Sequence, residues 1–230
     1  MEKSFLVIAH RGASAYALEN SFEAFNKAIE LKAPMIETDI QETADGQLVL
    51  MHDANLDRTT HSKGAIKKMT MDQIRSIKLR NNEDIPLLDD VLRTLGEKVG
   101  FDLEIKVENI EKKVNDLIDQ FQLIDKIIIS SFSFPTLKNL HQINPNLHLA
   151  FLSFMPWNLL KIRYSFKKLQ DSGIEAINLL YKVISKSFVD QAHAQNFKVF
   201  PWTVNTKEEI LKLKDEYQVD GIITNFPDIL

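Results

Sequence analysis

Eight short runs of apolar and β-branched residues, at 5–9, 35–41, 101–105, 127–130, 147–152, 176–179, 198–204 and 221–224, alternate with longer stretches of helical period. Those stretches lie near 21–32, 87–95, 109–121, 134–143, 157–171, 185–195 and 207–217. Several open on Ser, Asn or Thr, whose side chains satisfy free backbone N–H groups at a helix start. A repeated strand, helix, strand order makes neighbouring strands parallel, because each return needs a crossover. Eight repeats in 230 residues suit one closed (β/α)8 barrel. The chain stops soon after the eighth run, so the last barrel helix is expected to be missing or rudimentary. A doubly wound open sheet is the alternative, but the glycine fingerprint such sheets often carry is absent after the first strand. The expected organisation is therefore a single domain over residues 1–230.

One stretch breaks the rhythm. Residues 41–47 are too few for a parallel crossover, and Ala44-Asp45-Gly46 between alternating apolar runs is a hairpin signal. Residues 35–52 are thus expected to form an antiparallel excursion from the second strand. A two-residue loop of Asp45 and Gly46 would set His52 opposite Asp39. A four-residue loop from Thr43 to Gly46 would set it opposite Glu37. Both registers put His52 on the face of those carboxylates. Residues 54–86 are polar and weakly periodic, and read as a small insertion over the barrel mouth.

A net charge of -4 gives no electrostatic footprint for nucleic acid, so no nucleic-acid partner is expected. With no cysteine, disulfides and thiolate metal sites are excluded, and any metal has to be held by oxygen or imidazole. The N-terminal apolar run of 5–9 is too short for a leader or a membrane span, and no longer run follows. A cytoplasmic location is expected.

Barrels of this kind carry their active sites at the C-terminal ends of the strands. There the first strand ends in His10-Arg11-Gly12, the second carries Glu37 and Asp39, the hairpin returns His52-Asp53, and the third ends in Glu104 and Lys106. Glu37 with Asp39, and Glu104 with Lys106, are two residues apart on a strand and point the same way. Three carboxylates converging on one mouth repel one another unless a cation joins them, and an all-oxygen cage suits a hard ion, Mg²⁺ or Ca²⁺. Arg11 and Lys106 supply donors for an anionic, phosphate-bearing substrate. His10 and His52 supply groups able to take and give protons near neutral pH. His61, His141, His148 and His193 lack such companions and read as surface or packing residues.

At these positions the sequence resembles the glycerophosphodiester phosphodiesterase family. The matching pieces run in order from Ala9-His10-Arg11-Gly12-Ala13-Ser14 through Glu19-Asn20-Ser21, Glu37-Thr38-Asp39-Ile40-Gln41, Asp45-Gly46, His52-Asp53, Leu56-Asp57-Arg58-Thr59-Thr60, Leu103-Glu104-Ile105-Lys106, Ser130-Ser131-Phe132 and Trp202-Thr203-Val204-Asn205 to Gly221-Ile222-Ile223-Thr224-Asn225. Leu18, Ser21 and Asn225 stand where the family usually has proline, threonine and aspartate. The resemblance implies a barrel whose metal is held by Glu37, Asp39 and Glu104, with His10 and His52 as acid and base. It implies that Arg11 and Lys106 hold the phosphate, that Glu19 and Asn20 orient Arg11 or His10, and that Trp202 lines the glycerol or alcohol pocket. The implied substrates are small glycerophosphodiesters such as glycerophosphocholine, cleaved to sn-glycerol 3-phosphate after attack by the glycerol 2-hydroxyl. Lysophospholipids or polyglycerolphosphate are the alternative substrates, and a non-catalytic barrel is the alternative of another class.

The stretch 155–169 combines Trp157, Tyr164 and Phe166 with Lys161, Arg163, Lys167 and Lys168 and has no acidic residue. It reads as an outer barrel helix with Leu159, Ile162, Phe166 and Leu169 as its inward stripe and the cations as a solvated face, in preference to a membrane-contacting helix.

Overall fold

The computed structural model describes residues 5–230, so Met1–Ser4, which precede the short N-terminal apolar run, lie outside the described residues. The chain forms β1 (Leu6–His10), α1 (Phe22–Glu30), β2 (Met35–Glu42), β3 (Leu48–Leu50), α2 (Met71–Arg75), α3 (Leu88–Leu95), β4 (Gly100–Ile105) and α4 (Glu111–Phe121). It continues through β5 (Ile127–Ser131), α5 (Phe134–Ile143), β6 (His148–Ser153), α6 (Trp157–Leu160), α7 (Phe166–Gln170), β7 (Ile174–Leu179), α8 (Lys186–Ala194), α9 (Lys207–Leu211) and β8 (Gly221–Thr224). The parallel strands follow the order β7, β6, β5, β4, β2, β1, β8, with β3 antiparallel on β2.

The predicted strand 198–204 occupies its place in the barrel wall without forming a regular ladder. Pro201 has no N–H to give, so bonds to both neighbours are intermittent. On one side Ile177 N–H donates to Lys198 O and Trp202 N–H to Leu179 O; on the other, Ile223 N–H donates to Pro201 O and Val204 N–H to Ile223 O. This stave joins β7 to β8 and closes the (β/α)8 barrel.

Alternation along the strands divides the apolar residues into two cores. Ala9, Ile36, Leu103, Ile129 and Ile177 face outward and join the larger cluster under the helices. Ile8, Ala150, Ala176, Phe200 and Ile223 fill the barrel interior. Helix α1 illustrates the local logic: Ser21 caps it by accepting from Ala24 N–H, and Ala24, Phe25 and Ala28 form its buried face. Phe25 meets Phe101 edge-on at 6.4 Å. Burying each such side chain contributes about 1.5–3 kcal/mol. A third cluster, including Met51, Leu56, Ile66, Ile74 and Leu79, gives residues 54–86 apolar packing of their own.

The hairpin forms, but in neither anticipated register. Ile40 pairs with Leu50 and Glu42 with Leu48, which sets position 52 opposite Thr38. The loop closes through Thr43 N–H to Gln47 O, with Gly46 at φ +81°, a three-residue turn that shifts the register by one. Asp45 stabilises it by accepting from the Thr43 hydroxyl at 2.6 Å and from Met71 N–H. His52 therefore reaches the carboxylates by leaving the ladder after Met51, not by strand alternation.

The predicted helix 157–171 is two short helices, α6 and α7, because Ser165 restarts the helix by capping Lys168 N–H. Its expected stripe is corrected too. Leu169 is buried and Phe166 partly so, whereas Leu159 is 50% and Ile162 81% exposed.

Candidate active site

Strand β1 ends in a sharp turn. Arg11 (φ +55°) and Gly12 (φ +82°) both take left-handed backbone, and a Cβ on residue 12 would lie 2.7 Å from the Ala24 backbone, so only glycine fits there. The turn aims Arg11 N–H at Glu37 Oε2, at 2.9 Å. The Arg11 guanidinium meets Glu19 Oε1 at 2.8 Å and Asp39 Oδ2 at 3.2 Å. Asn20, also left-handed, donates from Nδ2 to Asp39 Oδ2 at 2.9 Å and accepts from the Thr38 hydroxyl at 2.6 Å. Glu19 thus orients Arg11, while the Asn20 side chain orients Asp39.

Glu37, Asp39 and Glu104 each present a carboxylate oxygen, and the three atoms lie within 4.8 Å of one another in a buried cluster. Lys106 Nζ sits 2.6 Å from Glu104 Oε1 and 3.3 Å from Asp39 Oδ1. The latter contact lacks hydrogen-bond alignment, so Asp39 Oδ1, like Glu37 Oε1, is buried without a hydrogen-bond partner. Buried acceptor oxygens left open on adjacent carboxylates fit a hard divalent cation.

The electrostatics agree with that fit. Burial, then repulsion from Asp39 and Glu104, pushes Glu37 well above the usual carboxylate range. Burial and Asp39 lift Glu104 to about 7. Burial opposes ionisation of Asp39 as well, but Arg11 and Lys106, with a smaller contribution from His52, hold it below its ordinary value. A bound cation favours the ionised form of all three.

The two histidines are held differently. His10 Nδ1 is 2.7 Å from Asn225 Oδ1 and its Nε2 is 3.9 Å from Glu37 Oε2. His52, about one third exposed, has Nδ1 2.7 Å from Asp53 Oδ1. Burial and Arg11 lower His10 to about 4. Folding therefore favours its neutral form, while the unfolded chain takes up the proton near 6.5. The stability this confers is fully present above 6.5 and is lost as pH falls towards 4, by up to about 3 kcal/mol. In metal-free protein this contribution is read as a difference, because the raised carboxyls of Glu37 and Glu104 favour folding as pH falls: between 6.5 and 4 the unaltered protein is expected to lose unfolding free energy relative to His10→Gln. Equal slopes in the two proteins would reject the assignment.

Two features escaped the sequence reading. Asp102 precedes Glu104 by two residues and shares its inward face, beside Glu37 in the sheet. It is fully buried, and burial, opposed by the Ser130 hydroxyl, lifts it to about 7. The spacing argument applied to Glu37 and Asp39 would have found it. The other feature is the role of Arg58, which lies in a family-like stretch and bonds Asp53 Oδ2 at 2.7 Å and both oxygens of Glu19 at 2.6 and 2.7 Å. It links His52 through Asp53 to Glu19 and Arg11.

Trp202 donates from Nε1 to Asn178 O and packs edge-on against Phe132 and Phe154 at 5.5 and 5.0 Å. The other histidines lie apart from the cluster. His148, at the opposite end of its strand, pairs with Glu175, and His193 with Asp220.

A closed barrel whose C-terminal mouth gathers three carboxylates, two histidines and two cations defines a class: barrel proteins equipped for phosphate-ester chemistry. The chain belongs to the glycerophosphoryl diester phosphodiesterase family, whose sequence profile matches residues 10–229. It is 33% identical over 243 residues to a glycerophosphodiester phosphodiesterase of Caldanaerobacter subterraneus subsp. tengcongensis, covering 98% of this chain and 96% of that protein. It is 31% identical to one from Bacillus altitudinis, covering 96% and 95%. In fold it matches an Oleispira antarctica phosphodiesterase crystallised with the product sn-glycerol-3-phosphate, with TM-score 0.88, 22% identity and coverage of 97% and 94%. A glycerophosphodiester phosphodiesterase from Thermotoga maritima matches with TM-score 0.82, 23% identity and coverage of 99% and 97%.

Proposed function

We propose that this chain, as one domain with 54–86 inserted, hydrolyses glycerophosphodiesters such as glycerophosphocholine and glycerophosphoethanolamine to sn-glycerol 3-phosphate and the free alcohol, in the cytoplasm. The observation that carries the reading is the buried cluster of Glu37, Asp39 and Glu104 with open oxygens, flanked by Arg11, Lys106, His10 and His52. Family membership supports the same activity.

Glu37, Asp39 and Glu104 would hold one Mg²⁺ or Ca²⁺ ion, which when bound neutralises phosphate charge and polarises a phosphoryl oxygen. Arg11 and Lys106 position the phosphate, the guanidinium as a fork and the ammonium as a point charge. One of the two histidines takes the proton of the glycerol 2-hydroxyl as it attacks phosphorus. The other gives a proton to the departing alcohol, and water then opens the cyclic phosphate with the roles reversed. An attacking hydroxyl already on the substrate supplies a large proximity advantage. Trp202 lines the glycerol or alcohol side.

Release of sn-glycerol 3-phosphate from glycerophosphocholine is expected with Mg²⁺ or Ca²⁺ and is expected to vanish in excess chelator. Full activity in chelator would remove the metal from this reading. No release from any glycerophosphodiester, with either ion, would remove the activity itself.

A further inference from the structure

The described residues carry eight large apolar side chains that are exposed, and four of them fall within nine residues after β6: Phe154, Met155, Leu159 and Ile162. The cause is local. Trp157 and Leu160 are buried, and Trp157 stacks on Phe166 at 4.2 Å, which fixes the inward face of this short turn of helix. Leu159 and Ile162, on the other face, are thereby turned to solvent. A protein surface seldom exposes apolar side chains in such a group without a partner for them.

Charge selects the partner. Lys161 and Arg163 flank Ile162, Lys167 and Lys168 follow, and 154–170 contains no acidic residue. Lys167 pairs with Asp171 at 3.2 Å, Lys168 lies 5.0 Å over the rings of Phe134 and Tyr164, and Arg163 lies 5.4 Å over the Tyr164 ring; Lys161 and Arg163, the neighbours of Ile162 in the chain, are the cations beside the exposed apolar tip. A second copy of this chain placed on the face by two-fold symmetry would bring like charges together. An anionic lipid surface answers both features, taking apolar side chains at its interface and cations at its phosphates.

The patch is continuous with the active-site mouth. Phe154 stacks on Phe132 at 4.6 Å and meets Trp202 edge-on at 5.0 Å, and the Phe132 ring lies 5.9 Å from Lys106 Nζ. We propose that residues 154–163 seat the barrel mouth on an anionic phospholipid surface, Leu159 and Ile162 entering the interface and Lys161 and Arg163 meeting lipid phosphates. Substrates still carrying an acyl chain would then reach the site along the aromatic track, an extension that rests on the phosphodiesterase reading; surface binding itself does not.

Co-sedimentation with phosphatidylglycerol vesicles tests the surface without requiring turnover. The unaltered protein is expected to bind them at low salt, to bind phosphatidylcholine vesicles less, and to lose binding as salt rises. Lys161→Glu with Arg163→Glu is expected to weaken phosphatidylglycerol binding roughly tenfold or more. Leu159→Ser with Ile162→Ser is expected to weaken binding to both lipids by roughly tenfold. Both double variants are expected to turn over glycerophosphocholine at the unaltered rate, since none of the four residues touches the site. Absence of vesicle binding by the unaltered protein at low salt overturns the proposal, as does binding indifferent to both double variants. Self-association abolished by Ile162→Ser, without vesicle binding, would assign the face to a second copy and overturn it equally.

Discussion

Replacing His10 or His52 by alanine is expected to lower kcat about 10²- to 10⁴-fold, the usual contribution of a positioned general acid or base. Each ring is fixed through Nδ1, His10 by Asn225 and His52 by Asp53, which leaves Nε2 as the nitrogen able to exchange a proton with substrate. If the two rings serve one proton relay, the double variant loses little more than the worse single one. Turnover measured for the three variants at neutral pH decides the matter. A histidine whose removal leaves kcat near the unaltered value has no part in the relay.

The second large effect is expected at the carboxylates. Glu37 and Asp39 each commit one oxygen to the protein, to Arg11 N–H and to Asn20 Nδ2 respectively, and each keeps another buried and open. Glu37→Gln or Asp39→Asn keeps the shape of the side chain but removes the charge that a divalent ion requires. A loss of several kcal/mol of transition-state stabilisation, about 10³-fold in turnover, is expected from either change. Metal titration by calorimetry provides a readout independent of turnover, with markedly weaker binding expected in both variants and in Glu104→Gln. Undiminished affinity in all three would move the metal elsewhere.

Much of this site was legible because strand alternation makes side-chain direction a matter of parity. Glu37 with Asp39 and Glu104 with Lys106 could be set on one face by counting in twos, and the pairing of Asp39 with Glu104 in adjacent strands brings them to one level. Counting failed where the backbone stops being periodic. The register of β3 depends on the left-handed Gly46, whose conformation shifts every partner by one. The stave at 198–204 reads as a strand by composition, but Pro201 thins its ladder. Leu159 and Ile162 have helical spacing with Phe166 and Leu169, yet the helix breaks between them, and spacing carries no information across a break. The bridging role of Arg58 was hidden, although the residue lies in a family-like stretch, because its partners are 39 and five residues away, across an insertion without clear periodicity.

Arg58 also limits how this barrel can be re-engineered. It is carried by the segment 54–86, yet its guanidinium joins Glu19, which follows β1, to Asp53, which aims His52. The bridge also draws Asp53 down to about 2, chiefly through the Arg58 hydrogen bonds, so the aspartate beside His52 is fully charged at neutral pH. The inserted segment is consequently not an exchangeable cassette. A chimera that imports another loop set between β3 and α3 keeps the first histidine and the carboxylates but cuts the strut that aligns the second. Grafts into this scaffold have to bring a guanidinium of equal reach, with Glu19 and Asp53 retained as its two anchors.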